Sequence, residues 1–423
     1  MANSRAQNNG GEVWEPEVVV IGGGPAGMFA AIFAARRGRR VLLLEKNHRL
    51  GEKLRITGGG RCNVTNAEPD TRAFLDRYGE AARPLAASFA RFSPGDTFNF
   101  FAACGLPLEV EDRGRAFPKT RRAPDVERVL EREMEKARVR VATGVAVTGM
   151  RAEKGKIVAA LTEDGEVVAE SFILATGGLS HPETGSTGDG FRWLEEIGVP
   201  VSAPTPSIVP LAVEEEWVRK LSGLALDDAK VTFYRGEKKA FSVDGRILFA
   251  HFGLTGPTIL NAAARVGDLL HDGPVRAALD LFPREDQGAV ERRFLAALDG
   301  AKNQNVVNAL AASLPTGAAR RLFPVLSNLP PETKAHSVTR EDRKNMARAA
   351  KALPLTVTGL LGFERAVVAD GGVPLADVDT RTFASNKVPN LFLLGDVLDV
   401  RRPSGGFSLQ LCWTSGAVAG ENA

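Results

Sequence analysis

Three glycines and one acidic residue near the start of the chain have types and spacing suited to holding phosphate and sugar groups. Gly22, Gly24 and Gly27 stand in GxGxxG spacing, and Glu45 follows 18 residues after the third glycine. In such a pattern the first glycine permits a tight turn, the second lets backbone approach a pyrophosphate, and the third lets a helix pack closely on a strand. A carboxylate at this distance suits ribose hydroxyl groups. The pattern predicts a dinucleotide site.

The elements around these residues are those that such a site needs. Residues 18–21 are apolar and β-branched, which is typical of a buried parallel strand. Residues 26–37 are rich in small side chains and predict a helix, whose N-terminus offers unpaired N–H groups to phosphates. A second apolar strand, 41–44, leads into Glu45. We therefore expect an α/β domain of the Rossmann type.

The segment 46–66, KNHRLGEKLRITGGGRCNVTN, is too rich in glycine and polar residues for regular structure. Its glycines, 58–60, can bring backbone N–H groups against an anion or a flat ring. Arg61 and Asn63 supply polar contacts. Cys62 is either a reactive thiol or a residue that packs against the ligand, and no partner cysteine is near it in sequence. The alternative is a long surface loop, but loops of this length usually serve a function.

Three later turns of small residues are expected at the same site, because small residues let backbone approach a ligand closely. They are 144–145, 175–178 and 395–396. Asp396 directly follows an apolar strand, where a carboxylate suits the hydroxyl groups of a polyol. The helix that starts after the glycine pair 405–406 would direct its positive end at the ligand.

Composition limits the class of protein. The 423 residues are 44% hydrophobic and 25% charged, which is typical of a globular protein with two or three domains. No stretch is long and apolar enough to span a membrane, and residues 1–16 read as a disordered tail without a signal pattern. The three cysteines and five histidines are scattered, so we expect neither disulfides nor a metal site and predict a cytoplasmic protein.

The middle of the chain reads as two insertions into the α/β domain. Residues 201–275 are short β-prone runs broken by Gly and Pro, which predicts a β-barrel or sandwich. Residues 276–353 predict helices, and within them 276–351 hold 13 Lys and Arg against eight Asp and Glu, a net charge of +5. This basic segment either contacts nucleic acid or is a solvated helical surface. The α/β domain then comprises 17–200 and 354–423.

Five motifs together are similar to those of a known family. They are ITGGGRCNVTN (56–66), GRAFP (114–118), ATGGLSHPETGSTGDGF (175–191), HFGLTGP (251–257) and GDVLDVRRPSGGFSLQ (395–410). The chain resembles the BaiN/RdsA family of NAD(P)/FAD-dependent oxidoreductases over residues 17–420. The resemblance implies a split FAD-binding domain like that of glutathione reductase, with an inserted β-barrel domain and a small helical domain.

The resemblance also implies which residues line FAD. With their immediate neighbours they are Gly22, Gly24, Pro25, Ala26, Gly27, Glu45, Lys46, Lys53, Gly60, Arg61, Cys62, Asn63, Val145, Ala175, Thr176, Gly177, Gly178, Gly395, Asp396, Gly405, Gly406, Phe407 and Ser408. One departure is visible, since the family's usual Gly-Gly-Tyr-Asn-Leu-Gln stands here as GGFSLQ at 405–410. The resemblance therefore does not assign substrate or flavin contacts to the side chains of Phe407 and Ser408.

The activity implied is reduction of a C=C bond conjugated to a carbonyl group, on substrates as different as steroid enones and uridine in large-subunit rRNA. Reduced flavin delivers hydride and a positioned acid delivers the proton. Only one dinucleotide fingerprint is present, so NAD(P)H is expected as a transient donor. His251, Cys62 and Arg61 are the candidates near the flavin, and the alternative for His251 is a core or hinge histidine.

Three functions remain after these observations. The first is a reductase whose favoured substrate is a 23S rRNA uridine, because the insert is basic; a small-molecule enone is the other substrate class. The second is an oxidase of small amines or hydroxy compounds. The third is a flavin-binding protein that docks on RNA without catalysis.

Overall fold

The computed structural model describes residues 14–315 and 319–423, which form two compact units. The first unit runs to Thr205 and resumes at Val367, and the second is Pro206–Ala366. The tail expected over 1–16 falls mainly on residues 1–13, which lie outside the described residues. Within the described part, the guanidinium of Arg140 lies over the Trp14 ring at 3.7 Å from its centre.

The first unit begins with alternating strands and helices. Its strands are β1 (Val18–Ile21), β2 (Val41–Glu45), β3 (Thr65–Asn66), β4 (Leu108–Glu111), β5 (Arg115–Pro118), β6 (Arg140–Thr143), β7 (Val147–Glu153), β8 (Lys156–Thr162), β9 (Gly165–Val168) and β10 (Ser171–Leu174). Its helices are α1 (Pro25–Arg36), α2 (Glu52–Ile56), α3 (Thr71–Asp76), α4 (Ala82–Arg91), α5 (Pro94–Ala103), α6 (Ala123–Lys136) and α7 (Asp189–Glu196).

The strand β11 (Ser202–Ser207) crosses into the second unit. That unit contains β12 (Leu211–Val213), α8 (Glu216–Lys220), β13 (Ala225–Arg235), β14 (Lys238–Ala250), β15 (Gly253–Thr255), α9 (Pro257–Leu270), β16 (Val275–Asp280), α10 (Gln287–Gly300), α11 (Val306–Ala309), α12 (Ala319–Leu326), α13 (Arg340–Lys351) and β17 (Leu353–Leu360). The first unit then resumes with β18 (Val368–Gly372), β19 (Val378–Asp379), β20 (Ala384–Ser385), β21 (Leu391–Leu393) and α14 (Phe407–Gly420).

The main sheet of the first unit confirms the Rossmann-type expectation. Its strand order is β19-β20-β21-β10-β1-β2-β6, and the five strands from β21 to β6 run parallel. Val18 pairs with both Val41 and Ser171, so the two predicted strands lie side by side at the centre. All four residues of β1 are buried, because helices cover a parallel sheet on both faces.

The close approach of α1 to the sheet explains two of the predicted glycines. A Cβ at Gly27 would lie 2.0 Å from the carbonyl oxygen of Gly22, closer than any side chain permits. Gly22 itself has φ +107°, and a Cβ there would lie 2.5 Å from the carbonyl oxygen of Ala175. These glycines therefore set the distance between strand, turn and helix.

The C-terminal helix α14 packs on α1 through small residues. A Cβ at Gly416 would lie 2.8 Å from the carbonyl oxygen of Ala26, and one at Gly420 would lie 2.5 Å from that of Ala30. The indole of Trp413, on another face, donates a hydrogen bond of 2.8 Å to the carbonyl of Val64. The end of the chain is thus fixed against its first helix.

The second unit is a closed barrel with strand order β12-β15-β14-β13-β16-β17. The helices α10 to α13 lie in the sequence between β16 and β17, which pair antiparallel through Val275 and Val357. Phe294 and Met346 from these helices share one buried cluster with Leu279 of the barrel. Barrel and helices therefore have one core.

This arrangement differs from the expected boundaries. The sequence predicts the barrel in 201–275, the helices in 276–353 and the return of the first domain at 354. In the structure β17 is a barrel strand, and the first unit resumes at Val367. The reason is long-range pairing, because β17 closes the barrel beside β16, across more than seventy residues of helical sequence.

Two features are absent from residues 14–315 and 319–423. Among their helices, none is long and apolar enough to cross a membrane. In the same residues, no group of three or more His, Cys, Asp or Glu side chains is arranged to hold a metal ion.

Candidate functional site

The first unit contains a cavity at the carboxyl ends of β1, β2 and β10. Its empty volume is about 1190 Å³ and it is open to solvent. Thirteen of the predicted residues border it: Gly22, Gly24, Pro25, Ala26, Glu45, Lys46, Lys53, Val145, Ala175, Thr176, Gly177, Asp396 and Ser408. The carboxyl ends of parallel strands are where ligands bind in such sheets.

The other predicted residues do not border this cavity. In the first unit they are Gly27, Gly60, Arg61, Cys62, Asn63, Gly178, Gly395, Gly405, Gly406 and Phe407. Four of them, Gly27, Gly178, Gly395 and Phe407, adjoin cavity residues in sequence, and close packing of backbone explains some of the ten. A Cβ at Gly406, for example, would lie 2.3 Å from the backbone of Thr65.

The turn before α1 leaves room for an anion. The helix has Gly24 as its N-cap residue and Pro25 at its first position, and no side chain caps it. A Cβ built on Gly24 meets no atom within 4 Å. Unpaired N–H groups at a helix N-terminus attract phosphate, so this open wall of the cavity fits a pyrophosphate.

Glu45 is buried beside that turn. Its carboxylate accepts hydrogen bonds from the backbone N–H of Gly23 at 2.6 Å and of Asn47 at 2.8 Å. The N–H of Val145 donates to the backbone carbonyl of Glu45 at 3.0 Å, which holds the end of β6 against the same edge. Each carboxylate oxygen keeps a further lone pair for a sugar hydroxyl.

Beside Glu45, the side chain of Lys46 connects two segments of chain that border the cavity. The ammonium of Lys46 donates to the Thr187 hydroxyl at 2.6 Å and to Asp189 at 2.8 Å. Burial would raise the pKa of Asp189, but the hydrogen bonds from Lys46 and Thr187 outweigh it and hold that pKa below its ordinary value. Lys46 therefore links the loop after β2 to the start of α7.

At the other end of the cavity Asp396 stands between two cations. Its carboxylate pairs with Lys53 at 3.2 Å and with the guanidinium of Arg402. Burial would raise the pKa of Asp396, but Arg402 and then Lys53 outweigh it and keep that pKa below its usual range. The residue is an ionised acceptor, which suits the hydroxyl groups of a polyol.

Arg402 is the residue here that sequence reasoning missed. Its side chain is only 1% exposed, and its Nε donates to the Ser408 hydroxyl at 3.1 Å. It therefore connects Asp396 to the first turn of α14. The signal in the sequence is the arginine pair 401–402, which lies between Asp396 and the glycine pair 405–406.

The three residues expected near the reacting groups are placed differently from one another. Cys62 is fully buried, and burial raises the pKa of its thiol far above the ordinary value despite a hydrogen bond with Thr57. Arg61 pairs with Glu111 at 3.0 Å. His251 is exposed in the second unit, with its ring against Phe252 at 4.8 Å between centres.

Two residues bordering the cavity carry buried polar atoms that have no hydrogen-bond partner in the described structure. They are the hydroxyl of Thr176 and the indole N–H of Trp193. Unpaired buried groups cost free energy, and a polar ligand in the cavity can recover it. Together with the open glycine turn and the two acidic residues, they show that the site fits an elongated ligand with phosphate and hydroxyl groups.

Comparisons with known proteins agree with this geometry. The profile described as HI0933-like protein Rossmann domain matches residues 16–422. The 3-dehydro-bile acid delta(4,6)-reductase of Clostridium scindens is 30% identical over 409 residues, covering 96% of this chain and 98% of the relative. The ribosomal RNA dihydrouridine synthase of Escherichia coli is 28% identical over 405 residues, covering 94% of this chain and 96% of the relative.

A solved structure shows the same fold at low identity. The 3-ketosteroid delta1-dehydrogenase from Sterolibacterium denitrificans matches with a TM-score of 0.53 and 12% identity, covering 96% of this chain and 99% of that one. The resemblance to the BaiN/RdsA group is confirmed by the named relatives. The chain belongs to the HI0933-like family and is an FAD-dependent oxidoreductase.

Proposed function

We propose that this enzyme reduces a C=C bond conjugated to a carbonyl group, that a uridine of 23S rRNA is its favoured substrate, and that NADH or NADPH is the transient hydride source. Two relatives that match nearly the whole chain support the reaction class, since their names describe a delta(4,6)-reductase and a dihydrouridine synthase. An rRNA substrate would place the reaction in the cytoplasm.

The cofactor part of the proposal is supported by the different chemical groups at the two ends of the cavity. The turn at Gly24 and Glu45 offers N–H groups and a carboxylate, which suit the pyrophosphate and the ribose of the adenosine half. Asp396, held ionised by Lys53 and Arg402, suits the hydroxyls of the ribityl chain. When bound here, FAD supplies the hydride carrier.

The first turn of α14 borders the same end of the cavity, through Ser408 and Leu409. Its N-cap is Gly406, and no side chain caps the helix, so its first N–H groups are not neutralised by a capping side chain. A positive helix end stabilises negative charge placed before it. We infer that this turn favours the reduced form of the bound ring.

The reaction adds one hydride and one proton across the double bond, and the oxidised nicotinamide leaves as the other product. The proton requires an acid that can exchange with water. The buried Cys62 thiol does not suit this role because its pKa is raised so far by burial. His251 remains our candidate acid, and substitution His251→Asn is expected to lower turnover of the true substrate at least tenfold while leaving the flavin spectrum intact.

The proposal is tested on rRNA. Dihydrouridine in 23S rRNA is measured by mass spectrometry in a strain lacking the gene and in the same strain carrying the gene on a plasmid. We expect the modification to disappear and to return. Unchanged dihydrouridine in the deletion strain contradicts the rRNA substrate.

The donor is identified on the purified protein without any substrate. Anaerobic addition of NADH or NADPH is followed by the visible flavin absorbance, and we expect one of the two to bleach it within seconds. If neither reduces the flavin, the nicotinamide part of the proposal fails.

A small-molecule enone reductase is the second candidate, and the 30% identity to the bile acid reductase over 96% of this chain favours it. The discriminating measurement is nicotinamide oxidation with a conjugated steroid ketone in place of RNA. Rapid peroxide formation with a small amine would instead support the oxidase alternative.

A further inference from the structure

Three arginines of the first unit converge on a single carboxylate, and we call them the arginine cluster. Glu111 lies 3.0 Å from Arg61, 3.7 Å from Arg115 and 3.3 Å from Arg121, measured between guanidinium nitrogen and carboxylate oxygen. Arg121 also lies 3.9 Å from Glu109, so two negative charges face three positive charges. The cluster has positive charge left over for an anionic partner.

The sequence around the cluster adds to this excess. Residues 109–122 together with Arg61 hold six Lys and Arg against three Asp and Glu, a net charge of +3. Arg113, Lys119, Arg121 and Arg122 are all exposed. Guanidinium groups on a surface of this kind are well suited to phosphate, which they can bind through two parallel hydrogen bonds.

The cluster is held in place by rigid structure. Its arginines lie on or beside the small sheet formed by β3, β5 and β4. The guanidinium of Arg61 stacks on Phe117 at 4.3 Å from the ring centre. Side chains fixed in advance lose less entropy on binding.

The cluster is joined directly to the wall of the candidate site. Thr57 borders the cavity, and the N–H of Cys62 donates to its carbonyl at 2.9 Å. Arg61 follows the glycines of the same loop, and the carbonyl of Gly60 accepts a hydrogen bond of 2.9 Å from the N–H of Ala123, just after Arg121 and Arg122. A polymer bound at the cluster would thus lie against the loop that forms the cavity wall.

The basic helical segment of the second unit is less suited to this task. Several of its cations are already neutralised by acids of the same unit. Arg284 lies 3.3 Å from Asp228 and 3.1 Å from Asp244, and Lys351 lies 2.7 Å from Asp280. Its charge excess of +5 is also spread over 76 residues. The segment chosen from sequence for RNA contact therefore lacks a comparable concentration of charge.

We propose that the arginine cluster is a docking surface for the phosphate backbone of the RNA substrate. The inference rests on the proposed rRNA substrate and adds where that RNA is held. Backbone contacts of this kind position a nucleic acid without reading its sequence. The cluster thus holds RNA next to the cavity, while the cavity selects the base that reacts.

The test uses the FAD-loaded protein and a fluorescein-labelled, unmodified fragment of 23S rRNA. Affinity is measured by fluorescence anisotropy at several salt concentrations. The variant is Arg115→Gln with Arg121→Gln, two members of the cluster that do not border the cavity, so the fold and flavin spectrum should be kept. The matched control is Arg340→Gln with Lys344→Gln, which removes the same charge from α13.

We expect the cluster variant to bind RNA about tenfold more weakly near physiological salt and its slope of log K against log salt to fall by roughly 1.4, since each phosphate contact to a single strand contributes about 0.7. The control should change neither quantity. Equal losses in both variants, or a loss only in the control, would overturn the docking surface. If the wild-type protein shows no salt-dependent RNA binding, the result instead contradicts the proposed rRNA substrate itself.

Discussion

Asp396 is the charged side chain on which most of the site's electrostatics depends. It lies between Lys53 and Arg402, and its own side chain is 14% exposed. The substitution Asp396→Asn removes the carboxylate charge that the two cations share. Loss of one member of a buried pair costs about 3–5 kcal/mol. We expect the free energy of unfolding in urea to fall by this order, and FAD affinity to fall with it. The control is Asp379→Asn, because that carboxylate is 33% exposed and pairs with the exposed Arg381.

The acid dependence of stability gives a second prediction for the same residue. The pKa of Asp396 is lower in the folded protein than the ordinary value of about 3.9. Its charge therefore stabilises the fold fully above that value, and this contribution is lost as pH falls through the lower, folded pKa. The difference in unfolding free energy between wild type and Asp396→Asn should be constant above about pH 5 and shrink below pH 4. A difference that grows on acidification would contradict the assigned charge.

Burial decides between the two interpretations of Cys62, which are a reactive thiol and a residue that packs against the ligand. Burial raises the pKa of its thiol, so the native protein contains almost no thiolate there. We expect iodoacetamide at pH 8 to leave Cys62 unmodified in the native protein and to label it after unfolding. Peptide mass spectrometry measures both states, and rapid native labelling would restore a chemical role for this thiol.

At the scale of elements, the contact between α1 and α14 holds the cavity wall in place. A methyl group at Gly416 would lie 2.8 Å from the carbonyl oxygen of Ala26 and 3.0 Å from the Cβ of Phe29. Overpacking of this kind costs about 1–3 kcal/mol. Gly416→Ala should therefore lower the free energy of unfolding by that amount and weaken FAD binding, because Ser408 and Cys412 on α14 border the cavity.

The matched control is Gly300→Ala at the end of α10. A Cβ there meets no atom within 4 Å, and alanine favours helix. Its stability should be unchanged or higher by up to about 1 kcal/mol. If both variants lose the same stability in urea unfolding, close packing of α1 and α14 is not what makes Gly416 sensitive.

The sequence predicted the elements whose signals are local. The strands around the turn at Gly22 and Gly24 follow from apolar β-branched residues, and the helix from small residues. It could not reveal Arg402, because an arginine in a polar loop carries no sign of burial. Nor could it reveal that Leu353–Leu360 closes the barrel, since its apolar alternation fits either unit and the partner strand lies far away in sequence.

At the scale of the whole molecule, each unit has its own buried cluster of apolar residues. The proposed FAD site lies in the first unit alone. Ligand at a hundred times its Kd stabilises the state that binds it by about 2.7 kcal/mol. We expect FAD to slow amide hydrogen exchange in the strands β1, β2 and β10 while the strands of the barrel, such as β13, exchange as before.

Amide hydrogen exchange in a variant of the second unit's core tests whether the two units unfold independently. Phe294 is fully buried there, and Phe294→Ala should cost about 3–5 kcal/mol. Faster exchange should then be confined to residues 206–366. Faster exchange of β1 to the same degree would show that the two cores unfold together.

The pairing of β10 with β21 has a consequence for how the protein is made. Phe172 pairs with Leu391, so the central sheet needs a strand that the ribosome adds only after the whole of the second unit. At about 5–20 residues per second, the interval between completing β10 and completing α14 is on the order of ten to fifty seconds. During that time the edge of β10 is open while the second unit, a continuous stretch of chain, can already fold. FAD is therefore expected to enter after synthesis, and the nascent chain carries an unpaired apolar strand that chaperones would recognise.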